Sequence, residues 1–307
     1  MTSRLLPRQQ PERRRDALTL DDLLMMIPPS PPIAEDDERN VIALLAEEGR
    51  SRPVLDWAAQ ESVHRRAPLT IIQSLPRHLT FDPFGIAGFD VWGDERASAR
   101  DALRHAIAYV ESQLGSATAT GLVVSGSSPS AVAALTGNTG LIVTDRAGRK
   151  NVGRLLFGEL GWEVARHAPQ PVVLVNAGIA SMPGFRRSDG FIVVLVSDRT
   201  NPIDPLGFAL RAARRSTLGV NVVHVATSNS GGDYFARADV DDVFRAAQDA
   251  FPDVRVTRRS GVGDPRVVLS REAVRTRLVV VSARGSSRQF RALRTGRLFP
   301  DSAVAVV

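Results

Sequence analysis

The chain of 307 residues contains no cysteine, which excludes disulfides, thiolate zinc sites, iron–sulfur clusters and a cysteine nucleophile. Lysine is nearly absent as well. Lys150 is the only one, so the 39 basic residues are otherwise arginines. No run of about 18 apolar residues occurs, which argues against a membrane-spanning helix. Aromatic residues make up only 6%, and Trp57, Trp92 and Trp162 read as core or interface anchors rather than a stacking platform. What remains is globular material: 43% hydrophobic and 23% charged residues, a composition that excludes wholesale disorder. The length suits two domains, each large enough to bury its own core. The expectation is a soluble, cytoplasmic protein with no membrane partner.

Charge is distributed unevenly. Residues 1–40 carry 6 arginines and 8 acids, residues 41–189 carry 15 bases and 14 acids, and residues 190–307 carry 18 arginines and 11 acids. Attraction for a polyanion is therefore expected in the C-terminal half. Residues 1–39 read as a partly disordered N-terminal extension. Arg13, Arg14 and Arg15 suggest an export signal, but Asp16, Asp21 and Asp22 stand where its apolar stretch belongs. Thr19, Asp21 and Asp22 can cap one short helix bearing Leu20, Leu23, Leu24 and Ile27, ended by prolines.

From Val41 onward, short β-rich runs alternate with helical periods. Strands are predicted at Val41–Leu45, Leu69–Gln73, Gly121–Val124, Leu141–Thr144 and Pro171–Val175. A helix over Pro53–Arg66 turns Leu55, Ala58, Ala59 and Val63 inward, and a longer one carries Leu103, Ala106, Ile107 and Val110. The order restarts at Phe191, with strands at Ile192–Val196, Val220–Val225, Val254–Thr257, Leu278–Val281 and Ala303–Val307. Helices are predicted at Leu206–Arg215 and through Val240, Val243, Phe244 and Ala247. Val41 and Ile192 stand 151 residues apart, as expected of a tandem duplication. Alternating strands and helices predict an α/β fold with two tandem Rossmann-like domains. Each is a five-stranded parallel sheet with helices on both faces. The expected boundaries are 40–177 for domain 1, 178–189 for a linker and 190–307 for a shortened, arginine-rich domain 2.

Three stretches carry a family resemblance: Thr144-Asp145-Arg146-Ala147-Gly148, Gly153-Arg154-Leu155-Leu156-Phe157-Gly158, and Val164 through Arg166-His167-Ala168-Pro169 to Val175. Together with the repeat order, they resemble the universal stress protein family over residues 40–307. Membership implies a role in stress or dormancy survival and a nucleotide loop of the form G-x2-G-x9-G-[ST]. Its four positions fall here on Asp145, Gly148, Gly158 and Glu159. Two carboxylates thus replace the first glycine and the phosphate-binding hydroxyl, an electrostatic penalty for phosphate. The aspartate that nucleotide-binding members carry after strand 1 aligns with Ala46. In the second repeat Asp198 can hold that place, and the loop residues are Ser282, Gly285 and Ser286. Neither set is intact. The resemblance therefore implies weakened or lost ATP binding and no other cofactor.

No catalytic constellation emerges. Gly148 to Gly153 fits P-loop spacing, but Arg154 and Leu155 replace the Lys and Ser/Thr that reach phosphate and Mg²⁺. The five histidines show no zinc-ligand spacing, and His167 reads as a helix C-terminal residue. Ser125, Ser127, Ser128 and Ser130 form no nucleophile elbow. Arg284, Arg288, Arg291, Arg294 and Arg297 recur every three or four residues from the second loop onward, a candidate anion site. The leading reading is a non-enzymatic binding or regulatory module, with the two domains paired as an internal pseudo-dimer. The alternatives are a slow ATP-hydrolysing stress protein and an accessory protein whose domain 2 binds nucleic acid or another polyanion. A homodimer is the further partner state considered.

Overall fold

The computed structural model describes residues 40–45, 52–75, 91–114, 119–125, 140–146, 160–176, 190–197, 203–226, 234–262, 267–268, 276–282 and 302–307. The first unit runs β1 (Val41–Leu45), α1 (Arg52–Arg65), β2 (Leu69–Leu75), α2 (Val91–Leu114), β3 (Ala119–Ser125), β4 (Leu141–Asp145), α3 (Leu160–His167) and β5 (Val172–Val175). The second runs β6 (Phe191–Ser197), α4 (Ile203–Ser216), β7 (Gly219–Ala226), α5 (Tyr234–Ala250), β8 (Val256–Val262), β9 (Thr276–Val281) and β10 (Ala303–Val306). The N-terminal extension and most of the two loop regions singled out above lie outside the described residues.

All ten strands form one sheet in the order β3-β2-β1-β4-β5-β10-β9-β6-β7-β8. Pairing is parallel within each unit. Each unit is thus a five-stranded parallel sheet of Rossmann-like type. The second half of the order reverses the first, because the units meet edge to edge through antiparallel β5 and β10, with Val304 opposite Leu174 and Val306 opposite Val172.

The apolar runs explain this arrangement. Every residue of β1, β5 and β10 is buried, as expected of parallel strands covered on both sides. Helices α1, α2, α4 and α5 cover one face in a single core that crosses the seam, from Ala43 and Val173 to Ala305 and Val280. On the other face Trp162, Val164 and Ala165 of α3 pack with Ile142 and Leu174 in a core continuous with Val304 and Val279. Ala99, Leu103, Ala106 and Val110 of α2 are buried at helical spacing.

The first helices of the two units stop in the same way. Arg66 and Thr217, again 151 residues apart, have φ of 52° and 54°. The next amides bond back, Ala67 N to Ser62 O at 3.0 Å and Leu218 N to Ala213 O at 3.1 Å, which is a left-handed C-terminal cap.

Two expectations are corrected. Val63 does not face inward: it is 54% exposed. The buried stripe of α1 passes from Leu55 and Ala59 to Ser62 and Arg65 instead, and those two polar residues are satisfied where they lie. Ser62 Oγ donates to Ala67 O at 2.6 Å, and Arg65 Nε donates to Glu61 Oε2 at 2.9 Å. The strand expected at Val254–Thr257 begins two residues later and continues to Val262. Val254 is instead a buried turn residue whose amide bonds Phe251 O at 3.1 Å. The strand carries Arg258 and Arg259 because an outer edge tolerates outward charge.

Candidate functional site

In the first unit the chain leaves β1 toward the side covered by α1 and β4 toward the side covered by α3, and the strand order of the second unit mirrors this one. The first unit switches between β1 and β4, which pair from Val41 with Leu141 to Leu44 with Thr144. The second switches between β6 and β9. Ligands of open α/β sheets bind in the crevice beyond the carboxyl ends of strands at such a switch. That rule places the candidate site at Leu45 and Asp145 in the first unit, and at Ser197 and Val281 in the second.

Asp145 ends β4 and is half-buried, opposite Val175. Helix α3 packs directly onto this strand end through Gly161. A Cβ at position 161 would collide with the Asp145 carbonyl oxygen and stand 3.0 Å from Leu174 Cδ2. The loop glycines Gly148, Gly153 and Gly158 stand out in the sequence, and Gly161 does not. A glycine inside the first turn of a helix, where propensity disfavours it, was the available signal.

Arg146 was likewise read only as part of a motif. It is 2% exposed, its amide bonds Val175 O at 2.7 Å, and its Nη1 donates to Ser302 O at 3.4 Å. Ser302 leads into β10 of the other unit, and its Oγ donates to Thr276 O at 2.6 Å. A buried guanidinium therefore links the head of the first loop to the seam. A charge in that position requires hydrogen-bond partners to be tolerable. In the second unit the corresponding strand end is followed by half-buried Ser282, so the carboxylate of Asp145 has no counterpart there. Ala46, Gly148, Gly158, Glu159, Asp198, Gly285 and Ser286 lie outside the described residues, as do Arg284, Arg288, Arg291, Arg294 and Arg297.

A second polar cluster joins the units on the α1/α4 face. Glu61 Oε2 lies 2.9 Å from Arg65 Nε and 3.8 Å from Arg215 Nη2 of α4, with side-chain exposures of 16%, 6% and 12%. The Arg65 guanidinium stands 6.0 Å from the Phe208 ring centre. Burial alone pushes the Glu61 carboxyl up. The charges of Arg65 and Arg215, the Arg65 hydrogen bond and His64 together outweigh it and hold the carboxyl below its ordinary 4.5. Nearer the outer edge of the first unit, Tyr109 Oη donates to Asp56 Oδ1 at 2.6 Å. That hydrogen bond, burial and the Asp56 charge raise the phenol above 10.0, against a smaller opposing effect of Arg52.

A cavity of about 590 Å³ opens at the other end of the second unit's strands, lined by Phe191, Arg214, Thr217, Gly219, Asp253 and Arg255. It is not a switch-point crevice. Among the described residues no group of three or more His, Asp or Glu could hold a metal ion. His167 closes α3, with Nδ1 2.7 Å from Glu163 O. Among them, too, no helix is long and apolar enough to cross a membrane.

Residues 39–176 match the model of the universal stress protein family. A universal stress protein from Archaeoglobus fulgidus DSM 4304 superposes with a TM-score of 0.64 at 16% identity, over 88% of this chain and 96% of its own. A second, from Pseudomonas aeruginosa UCBPP-PA14, gives 0.57 at 15% identity over 89% and 94%. Coverage of that extent includes both units. At such identities the likeness is one of fold. Residues 39–176 are thus a universal stress protein family domain, and the second unit repeats its strand order.

Proposed function

We propose that this protein is a non-enzymatic binding or regulatory module of the stress or dormancy response, with weak or no ATP binding. The observation that carries the reading is Asp145 at the carboxyl end of β4, beside the switch between β1 and β4. A carboxylate about 4 Å from a phosphate oxygen costs roughly 1–4 kcal/mol, between the limits of bulk water and a protein surface. Each 1.4 kcal/mol is about tenfold in affinity, so one such charge weakens phosphate binding by about fivefold to several hundredfold. Glu159 adds a second carboxylate at the loop position where the family has a hydroxyl, and Ala46 supplies none where the nucleoside would want one.

The test is to compare the full chain with its Asp145→Gly/Glu159→Ser variant by ATP titration, alongside mass spectrometry of small molecules released on denaturation. The double variant should bind ATP at least tenfold more tightly. Equal binding by the two proteins would remove loop charge as the reason, and ATP released from the unmodified protein would contradict the reading outright.

A polyanion-binding accessory role is the second reading. It is favoured by Arg255, just before outer strand β8, and Arg259 in its middle, both exposed and in the half of the chain with the arginine excess. On duplex DNA each neutralised phosphate contributes a slope of about −0.9 to log K against log salt. Arg255→Ala/Arg259→Ala should flatten that slope. An unchanged slope would remove β8 from the reading.

A further inference from the structure

The ten-stranded sheet ends in β3 on one side and β8 on the other, and the two edges are built oppositely. An outer strand offers unpaired N–H and C=O groups to any extended chain, and charged side chains are a common defence. Strand β8 follows that rule with Arg258 and Arg259. Its face is also partly covered, because Val268 packs within van der Waals reach of Gly261. Among the described residues strand β3 has neither device. Its sequence Ala-Thr-Gly-Leu-Val-Val-Ser carries no charge. Thr120 and Gly121 are exposed and Leu122, at the centre of the strand, is 48% exposed. One side of β3 is fully used: a Cβ at Gly121 would stand 2.8 Å from Ile107 Cδ1 of α2. Among the described residues nothing pairs with the outer edge, and on the other side Val124 packs on the second core while Leu122 stays half-exposed.

We propose that β3 is a self-association edge, pairing antiparallel with β3 of a second copy across a two-fold axis that passes by Leu122. The occupant is argued from charge and from the sheet itself. A neutral strand is self-complementary, whereas two β8 strands would set arginines against arginines. The molecule already extends its sheet by antiparallel edge pairing of uncharged strands, at β5 and β10. A β3–β3 junction is isologous and closes at two copies, while β3 against β8 of a neighbour would leave an edge open at each end and grow without limit. Seven residues of edge make a small interface, so the dimer belongs to the weak, reversible class.

Two-fold pairing sets Leu122 opposite itself, which gives a specific test with the full chain. Sedimentation of the unmodified protein should show a monomer–dimer equilibrium. Leu122→Lys and Leu122→Glu should each be monomeric, with dimerisation weakened tenfold or more, because like charges then face each other. An equimolar mixture of the two variants should dimerise again. Circular dichroism establishes that both are folded. If either is not, hydrogen exchange on the unmodified chain replaces it, and the amides of residues 120–124 should gain protection as concentration rises. A chain monomeric at every concentration, a dimer indifferent to both charges, a mixture that stays monomeric, growth beyond two copies, or concentration-independent exchange would each overturn the proposal.

Discussion

The two units share a strand order and differ, among the described residues, at their strand ends, outer edges and helix ends. The first presents Asp145 at its switch point, followed by an arginine buried toward the seam; the second presents Ser282. The first ends in a neutral outer strand and the second in an arginine-bearing one. Where the first helix turns out of the core, the first unit leaves Val63 exposed and the second places Arg214, its guanidinium 4.9 Å from the Phe251 ring. Burial on both faces dictates the apolar strands and leaves strand ends, edges and helix ends free to diverge. Function in such a protein is therefore read at those margins.

The largest effect should come from the place the units share. Strand β10 lies between β5 and β9 and is fully buried, so deleting residues 303–307 exposes apolar edges of both units. Insoluble or higher-order protein is expected on gel filtration. A soluble, well-folded monomer after the deletion would mean that the units stand independently.

Glu61 comes next. Glu61→Gln leaves Arg65 and Arg215 near each other without their carboxylate. It should cost about 1–3 kcal/mol near neutral pH, less than a fully buried pair because the site is partly exposed. The sign of the pH dependence follows from the lowered carboxyl. Its contribution is present above the unfolded value and is lost as pH falls below about 4.5 through the folded value. Urea unfolding should show the gap between the two proteins closing in that range and not at higher pH. A constant gap would assign the loss to packing.

Two helical glycines sharpen the contrast between units. Gly161→Ala drives a methyl group into the Asp145 carbonyl oxygen and should destabilise by roughly 1–3 kcal/mol. Gly207→Ala in α4 meets only the flexible end of Arg211, at 3.4 Å, and should gain about 0.5–1 kcal/mol from helix propensity. Thermal melts giving both variants the same sign of shift would refute this account of Gly161. Smaller still, Tyr109→Phe loses one half-buried hydrogen bond, worth about 1 kcal/mol. Arg104→Ala on exposed α2 should stay within about 0.5 kcal/mol despite its ion pair with Asp101.

The strands were legible because parallel strands buried on both faces read as continuous apolar runs. Strand β8, half-exposed at the edge, does not read that way, which is why its start was misplaced. Val63 misled because an apolar residue four positions after Ala59 is close to helical phase, while Ser62 and Arg65 hold the inward positions through bonds that no hydropathy pattern encodes. The Glu61–Arg215 pair links residues 154 apart on helices that meet only across the seam. The switch-point strand ends followed from strand order, and Asp145 was identified by its place in the loop motif. The reach of Arg146 to Ser302 depends on the antiparallel junction of β5 and β10, which strand propensity alone does not specify.

The central claim is that the first unit keeps the family's fold while its strand-end chemistry disfavours phosphate. Calorimetric titration of the full chain with ATP tests this most directly. The account predicts no measurable heat, or a dissociation constant far weaker than about 1 μM; binding at about 1 μM or tighter, near −8.2 kcal/mol, would contradict it.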